Sequence, residues 1–460
     1  MFGVTDGFDI VIGNPPYLRI QELRKFNNDL ADYLSDNYKS AVGSFDLYVT
    51  FVERGLQLVK PKGVMYYIMP VKWTNSSFGK GLRSILCEKS FISSIINFEA
   101  YQVFEASTYT GIHCFKQSKS LAYLELDRDM KNNQELQNYL SSITYNDFVN
   151  ININTSEAWV LTNKKVNTVL EKLNKCPYRL SDVFDKIFQG IATSKDDVYF
   201  LYDCRVINPF EIEGYSKYLK KNVVIENGLV KPLLKGEDVH RYEPLSSDRF
   251  VIFPYDLSND KAKLFSEQQI ATLFPKGYLY LKECEDELRG REKGRFNNDK
   301  WFMFGRGQGI NYGGIPKLLA PEISFGGNFM FDSNGQYYST TKIYGYIKKA
   351  NCLYSYKFLL GLLNSNLFWF FIQNTGYVLR GGYYTFKTNY VSPFPVPNYE
   401  AIDMRQVSMV ENIVDDILHC KYELTKDEIA SYIKDIDKII YQLYGLSSED
   451  VKTVNLYATR

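Results

Sequence analysis

Asn14-Pro15-Pro16-Tyr17 is the stretch of this sequence whose residue types and spacing could do chemistry. An asparagine side-chain oxygen is a neutral hydrogen-bond acceptor. A backbone carbonyl held among prolines is a second fixed acceptor, because proline locks its own φ and restricts the residue before it. Two such acceptors suit an exocyclic amino group whose lone pair is delocalised into a ring, as in adenine. Gripping both hydrogens draws the nitrogen toward tetrahedral geometry and localises the lone pair for attack on a methyl donor. Tyr17 follows at the right distance to lie flat on the base, which in a duplex must first be flipped out. The plain alternative is a Pro-Pro turn that ends a strand, with Asn14 capping it and Tyr17 in the core.

The elements around this loop place it where ligands bind. Phe8 to Gly13 (FDIVIG) is a short apolar run ended by Gly and Pro, the pattern of a buried parallel strand. In open α/β sheets ligands sit just beyond the carboxyl ends of strands, which is the position of Asn14. Ser44 to Pro61 reads as a helix, with Phe45, Tyr48, Val52, Leu56 and Val59 on one face. Pro61-Lys62-Gly63 should break it before a second strand at Val64 to Met69. A helix over Phe78 to Glu88 and a strand over Phe91 to Phe98 follow. Ile112 to Gln117 and Leu121 to Leu126 then read as a strand pair joined by a tight turn. This is α/β order, but a doubly wound sheet has two or three more strands before this point. The fold expected is the second half of a Rossmann-like sheet over 1–160, then a mixed α+β domain over 161–399, then a helical segment over 400–460. Tyr356 to Gln373 has helical periodicity, and the three prolines of Val391 to Tyr399 suit an extended exit. Of two final helices, the second opens on a capping box, Thr425-x-x-Glu428, and stops at Gly445.

Composition excludes several classes. Among 460 residues the hydrophobic share is 45% and the charged share 23%, as in soluble globular proteins. No run approaches the roughly 20 apolar residues of a membrane span, and the N-terminus lacks signal-peptide character. Seven cysteines without Cys-x-x-Cys and three histidines give no metal-ligand spacing, and a reducing, cytoplasmic setting fits. Net charge is +1, so bulk charge makes no case for nucleic acid; an aromatic share of 16% reads chiefly as a β-rich aromatic core.

Three segments, FDIVIGNPPY, FDLYVTFVERGLQLVKPKGVMYYIMPVKW and FEAYQVFEASTYTGIHCFKQS, resemble the TaqI-like (NPPY) adenine-N6 DNA methyltransferases and the type IIG restriction–modification enzymes. The resemblance implies that Asn14, Pro15, Pro16 and Tyr17 hold the target adenine and that Phe115 closes its other face. It implies S-adenosyl-L-methionine as methyl donor, bound through a Gly-rich loop and acidic residues that precede the NPPY strand. Only 13 residues precede Asn14, so most of that pocket is expected in a missing N-terminal portion or a separate subunit, and the isolated chain is expected to be inactive. Gly305 to Gly314 (GRGQGINYGG) does not fit G-x-G-x-x-G.

Four later stretches, LSDVFDKIFQGIATSKDDVYFL, VKPLLKGEDVHRYE, LLGLLNSNLFWFFI and LRGGYYTFKTNYVSPFPVP, resemble the target-recognition domain of the same enzymes and imply double-stranded DNA as partner. Candidate DNA contacts are Lys235, Arg241, Arg289, Arg291, Arg295, Arg306 and Arg380. The run from Lys276 to Arg306 reads equally as a solvated charged helix, because acidic residues share it. Two other functions stay open: a DNA-binding specificity module that does no chemistry, and an RNA or protein methyltransferase using the same Asn-Pro-Pro-Tyr logic. No Pro-Asp dipeptide opens a nuclease metal site.

Overall fold

Phe8–Gly13 forms β1 with the bounds its sequence suggests, because β-branched residues favour the extended backbone and Pro15 stops the run. In the computed structural model, which describes residues 6–458 apart from 99–100, 105–108, 127–131, 154, 160, 259–260, 380–381 and 421–423, two units divide at Thr168 and Val169.

In the first unit β1 is followed by helices α1 (Ile20–Phe26), α2 (Asn28–Asn37) and α3 (Tyr48–Leu58), then by the long strand β2 (Val59–Pro70). Helix α4 (Lys80–Lys89) leads to β3 (Ser94–Asn97), β4 (Thr110–Phe115), β5 (Leu121–Glu125) and β6 (Val149–Ile151). The sheet order is β1-β2-β4-β3-β5-β6. Pairs β1–β2 and β3–β5 are parallel, and β2–β4, β3–β4 and β5–β6 antiparallel. A mixed sheet of this kind agrees with the α/β class.

Three local expectations are corrected. Pro61-Lys62-Gly63 does not precede β2 but lies inside it, as a bulge between the pairs Phe8–Val59 and Ile10–Val64. Gly63 permits that close approach, since a Cβ there would stand 2.9 Å from the carbonyl oxygens of Phe8 and Asp9. Strands β4 and β5 do not pair with each other; β3 lies between them, so the short 116–120 connection steps over a strand. Finally, β1 is not buried on both faces. It is an outer strand with a neighbour on one side, and Ile10 and Ile12 are 61% and 77% exposed.

The second unit carries the aromatic excess in its cores, with Phe253, Tyr255, Phe304 and Tyr338 packed together. Strand β7 (Phe184–Gln189) is followed by β8 (Phe200–Asn208), β9 (Glu211–Ser216), β10 (Lys221–Glu226), β11 (Val230–Leu234) and β12 (Phe250–Ile252). Then come β13 (Lys317–Pro321), β14 (Met330–Asp332), β15 (Tyr338–Ser339) and β16 (Ile343–Lys348). One sheet runs β10-β9-β8-β12-β11-β15 and another β14-β13-β16-β7. The 391–399 segment is no extended exit: Phe394 and Val396 are fully buried, and Pro395–Val396 pairs with Tyr178–Arg179.

Helical periodicity over 356–373 resolves into α5 (Tyr356–Leu363) and α6 (Asn366–Thr375), because Ser365 caps α6 through the Phe368 amide. Helices α7 (Met404–Cys420), α8 (Lys426–Leu443) and α9 (Ser448–Ala458) end the chain, with the Thr425–Glu428 capping box formed as expected. Asp437 of α8 accepts from the Asn366 amide at 2.7 Å, so a second element completes the cap of α6.

Burial pushes the Asp437 carboxyl up to about 6, against the opposing pull of the Asn366 amide and Arg241. The folded state therefore keeps a proton that the unfolded chain gives up near the ordinary aspartate value. This contribution is fully present below that value and is lost as pH rises through about 6, with a ceiling of about 3 kcal/mol. Asp437→Asn keeps an acceptor without the charge. Its melting temperature should match the wild type near pH 4 and exceed it above pH 7; an equal difference at both pH values would refute the assignment.

Candidate functional site

The NPPY loop leaves β1 at its carboxyl end, with Pro15 buried and Asn14 and Pro16 exposed. Gly13 lies opposite Tyr67 of β2, and a Cβ on Gly13 would come 2.9 Å from that ring, so the strand ends on a small residue. The Tyr17 hydroxyl stands 2.7 Å from Asn14 Oδ1 and 2.9 Å from the Ile68 carbonyl of β2. One phenolic proton serves both acceptors. Burial pushes the phenol up to about 12, so it stays a donor at neutral pH. The Tyr17 ring meets Tyr48 of α3 edge-on at 6.4 Å, and Tyr48 meets Phe78 at 6.3 Å.

The chain after the loop is clamped as well. The Leu47 amide donates to Leu18 O and the Ile20 amide to Phe45 O, at 2.8 and 3.0 Å. Arg19 and Asp46 pair beside them at 3.9 Å. Burial raises the Asp46 carboxyl, while Arg19 and Lys72 pull it down. Beyond β2, the 71–79 turn is held by buried Arg83, which donates to the carbonyls of Trp73 and Ser76 at 2.6 and 2.8 Å. The Trp73 indole donates to His113 Nε2 at 3.2 Å, and His113 Nδ1 lies 3.1 Å from Gly111 O. That pattern requires the proton on Nδ1. Burial lowers His113 to about 3, so the imidazole is neutral.

Phe115 is not at this site. In the β2–β4 register Phe115 faces Met65 near the amino end of β2, whereas Thr110 faces Pro70 at the carboxyl end where the loop sits. Phe115 is fully buried, stacked on His113 at 6.0 Å and edge-on to Tyr67 at 6.4 Å. No face of its ring is open to a base. Tyr109, 49% exposed, directly precedes Thr110, and Phe104, 36% exposed, lies earlier in the connection between β3 and β4. The sequence reading considered only a ring on the strand and not the residues before it. The signal was the antiparallel entry into β4, which puts the residues before Thr110 at the loop's edge.

The basic residues of the second unit separate into kinds. Arg291 is a core residue: its guanidinium donates to the carbonyls of Leu288, Thr193, Trp301 and Met303 at 2.6–2.9 Å. Arg241 folds over Tyr242 with Nε and Nη2 buried, beside Asp437. Arg289 pairs with Glu285 at 2.7 Å and lies over Trp301. Arg295 and Arg306 remain exposed but converge on Glu292 at 3.0 and 2.7 Å. Hydrogen bonds from Ser194 and Arg306 hold the Glu292 carboxyl down at about 2. Arg291 is thus structural, a correction to its reading as a DNA contact, and Arg380 lies outside the described residues. Lys235 keeps its ammonium near Tyr202, 4.9 Å from the ring centroid. The 305–314 glycine stretch runs along 189–194, with Gly305 and Arg306 amides donating to Thr193 and Ala192 at 3.1 Å. Among the described residues no cluster of His, Cys, Asp and Glu could hold a metal, and no helix is long and apolar enough to cross a membrane.

Removing Arg291 strips four buried carbonyls of their donor. Arg291→Ala should lower unfolding free energy by about 3 kcal/mol or more, while Arg295→Ala and Arg306→Ala should stay within about 1 kcal/mol. Urea denaturation with all three variants checks this, and equal midpoints would contradict the structural role.

Residues 1–104 match the Eco57I restriction-modification methylase family, and residues 231–396 match the TaqI-like C-terminal specificity domain. The chain is 26% identical over 455 residues to the type II restriction enzyme and methyltransferase RM.Eco57I of Escherichia coli, covering 95% of this chain and 44% of that one. It is 26% identical to the type II methyltransferase M.BstVI of Geobacillus stearothermophilus, over 93% of this chain and 75% of the relative. The fold resembles the type IIL restriction-modification enzyme MmeI with a TM-score of 0.58 at 14% identity, over 98% of this chain and 57% of that one. The chain thus spans less than half of RM.Eco57I and about 57% of MmeI. With the loop at the end of β1 and the separate second unit, these matches make the chain similar to restriction–modification methyltransferases, with a region like the Eco57I methylase followed by one like the TaqI C-terminal specificity domain.

Proposed function

We propose that the complete protein methylates the N6 amino group of adenine at a specific site in duplex DNA, as the modification arm of a restriction–modification system. The observation that carries this reading is the Asn14 side-chain oxygen held at the carboxyl edge of the sheet, 2.7 Å from the Tyr17 hydroxyl. When a flipped adenine enters, the phenolic proton turns wholly to Ile68 O and leaves Asn14 Oδ1 to accept from the amino group. The Pro15 carbonyl accepts the second hydrogen. Tyr17 supplies one aromatic face, and Phe104 or Tyr109 the other. The second unit reads the sequence around the target.

S-adenosyl-L-methionine would supply the electrophilic methyl. The described residues do not fit it: the 305–314 glycines tie two strands of chain together and are not a strand-to-helix cradle. The pocket for that group is assigned to the rest of the complete protein. The bare Ile10 and Ile12 on β1 support that assignment.

In the complete enzyme, Asn14→Ala should cut kcat by about 100- to 1000-fold with little change in DNA affinity, since the acceptor acts as charge develops on nitrogen. Phe104→Ala or Tyr109→Ala should weaken capture of 2-aminopurine at the target by about 1–3 kcal/mol. Methylation by Asn14→Ala at near the wild-type rate would sink the proposal.

A further inference from the structure

We propose that Tyr202, Lys217 and Lys235 form a clamp for one backbone phosphate of duplex DNA. The inference rests on the reading of the second unit as DNA-binding and adds a site to it. Tyr202 lies on β8, opposite Tyr215 of β9. Lys217 follows β9 in an exposed turn, and Lys235 follows β11. Three separate segments thus meet at one ring: the ammoniums of Lys217 and Lys235 stand 4.0 and 4.9 Å from the Tyr202 centroid. The ring face attracts each cation. It does nothing to offset their repulsion for each other.

Several other lysines of this unit are neutralised. Lys195 pairs with Glu287, Lys221 with Glu283, Lys276 with Glu211 and buried Lys317 with Asp332. Among the described residues Lys217 and Lys235 have no ion-pair partner. The acidic residues that follow Lys235 in the sequence are already engaged: Asp238 pairs with Arg249 and accepts from the Lys235 amide, and Glu237 lies 3.5 Å from Arg249. That amide bond, at 2.6 Å, also fixes where the Lys235 side chain leaves the backbone.

Two ammoniums without an ion-pair partner, 4.0 and 4.9 Å from the centre of one ring, make a site for an oxyanion bridging them. A phosphodiester offers two non-bridging oxygens, one for each lysine. Such point-charge contacts set register along the duplex without reading bases. Lys235 lies inside the segment matching the specificity domain, which favours a nucleic-acid phosphate over an acidic protein.

The test is duplex binding by the full chain across a salt series. Lys217→Gln with Lys235→Gln should reduce the slope of log K against log salt by about one, the loss of one phosphate, on target and non-target duplex alike. Tyr202→Leu should do the same and Tyr202→Phe should not. A slope unchanged in the double variant would overturn the clamp while leaving DNA binding intact, and a reduction of about two would replace one shared phosphate by two separate contacts. No duplex binding by the wild type would instead overturn the DNA-binding reading itself. Inorganic phosphate protecting these lysines from acetylation better than an equal concentration of duplex phosphate would mark a small-anion site and also overturn the proposal.

Discussion

One phenolic proton, held between Asn14 Oδ1 and Ile68 O, ties the NPPY loop to the strand beside it. Around that contact the first unit reads as a set of constraints on a single turn. The parallel pairing of β1 with β2 brings the loop to Ile68, and the Tyr17–Tyr48–Phe78 contacts wedge it from α3. The pairing of 18–20 with 45–47 fixes its exit. The same bond also satisfies the asparagine oxygen while no base is bound. On the proposed function, capture of an amino group would exchange one hydrogen bond for another and expose no orphaned acceptor, which would keep the cost of the empty site low.

The second unit shows how charge is divided between structure and recognition. Most of its cations are engaged with carboxylates or carbonyls of the chain itself. Arg291 acts as an internal pin, and Arg295 with Arg306 forms a knot on Glu292. With a net charge of only +1, contact with a polyanion would rest on cations that the chain itself leaves unneutralised. Lys217 and Lys235 at Tyr202 are such a pair.

What the sequence revealed and what it hid follow from range. The limits of β1 and the Thr425–Glu428 capping box were legible because each is decided within a few residues. The role assigned to Phe115 failed because it depends on strand register, a long-range property: only the Met65–Phe115 and Pro70–Thr110 pairings show that Phe115 lies away from the loop. The pairing of β4 with β5 failed for a related reason, since proximity in sequence gave no hint that β3 would insert. Arg291 looked like a surface cation because charge is visible in sequence and burial is not. The prolines of 391–399 looked like a linker, although burial of Phe394 and Val396 makes them core.

The claim on which all of this turns is that the loop after β1 holds the target base. Photocrosslinking tests it most directly: the complete protein is bound to its mapped site with 5-iodouracil in place of the target adenine, irradiated and digested. The account predicts a crosslink to Tyr17, with a second on Phe104 or Tyr109. Crosslinks confined to the second unit, with the Tyr17 peptide unmodified, would contradict it.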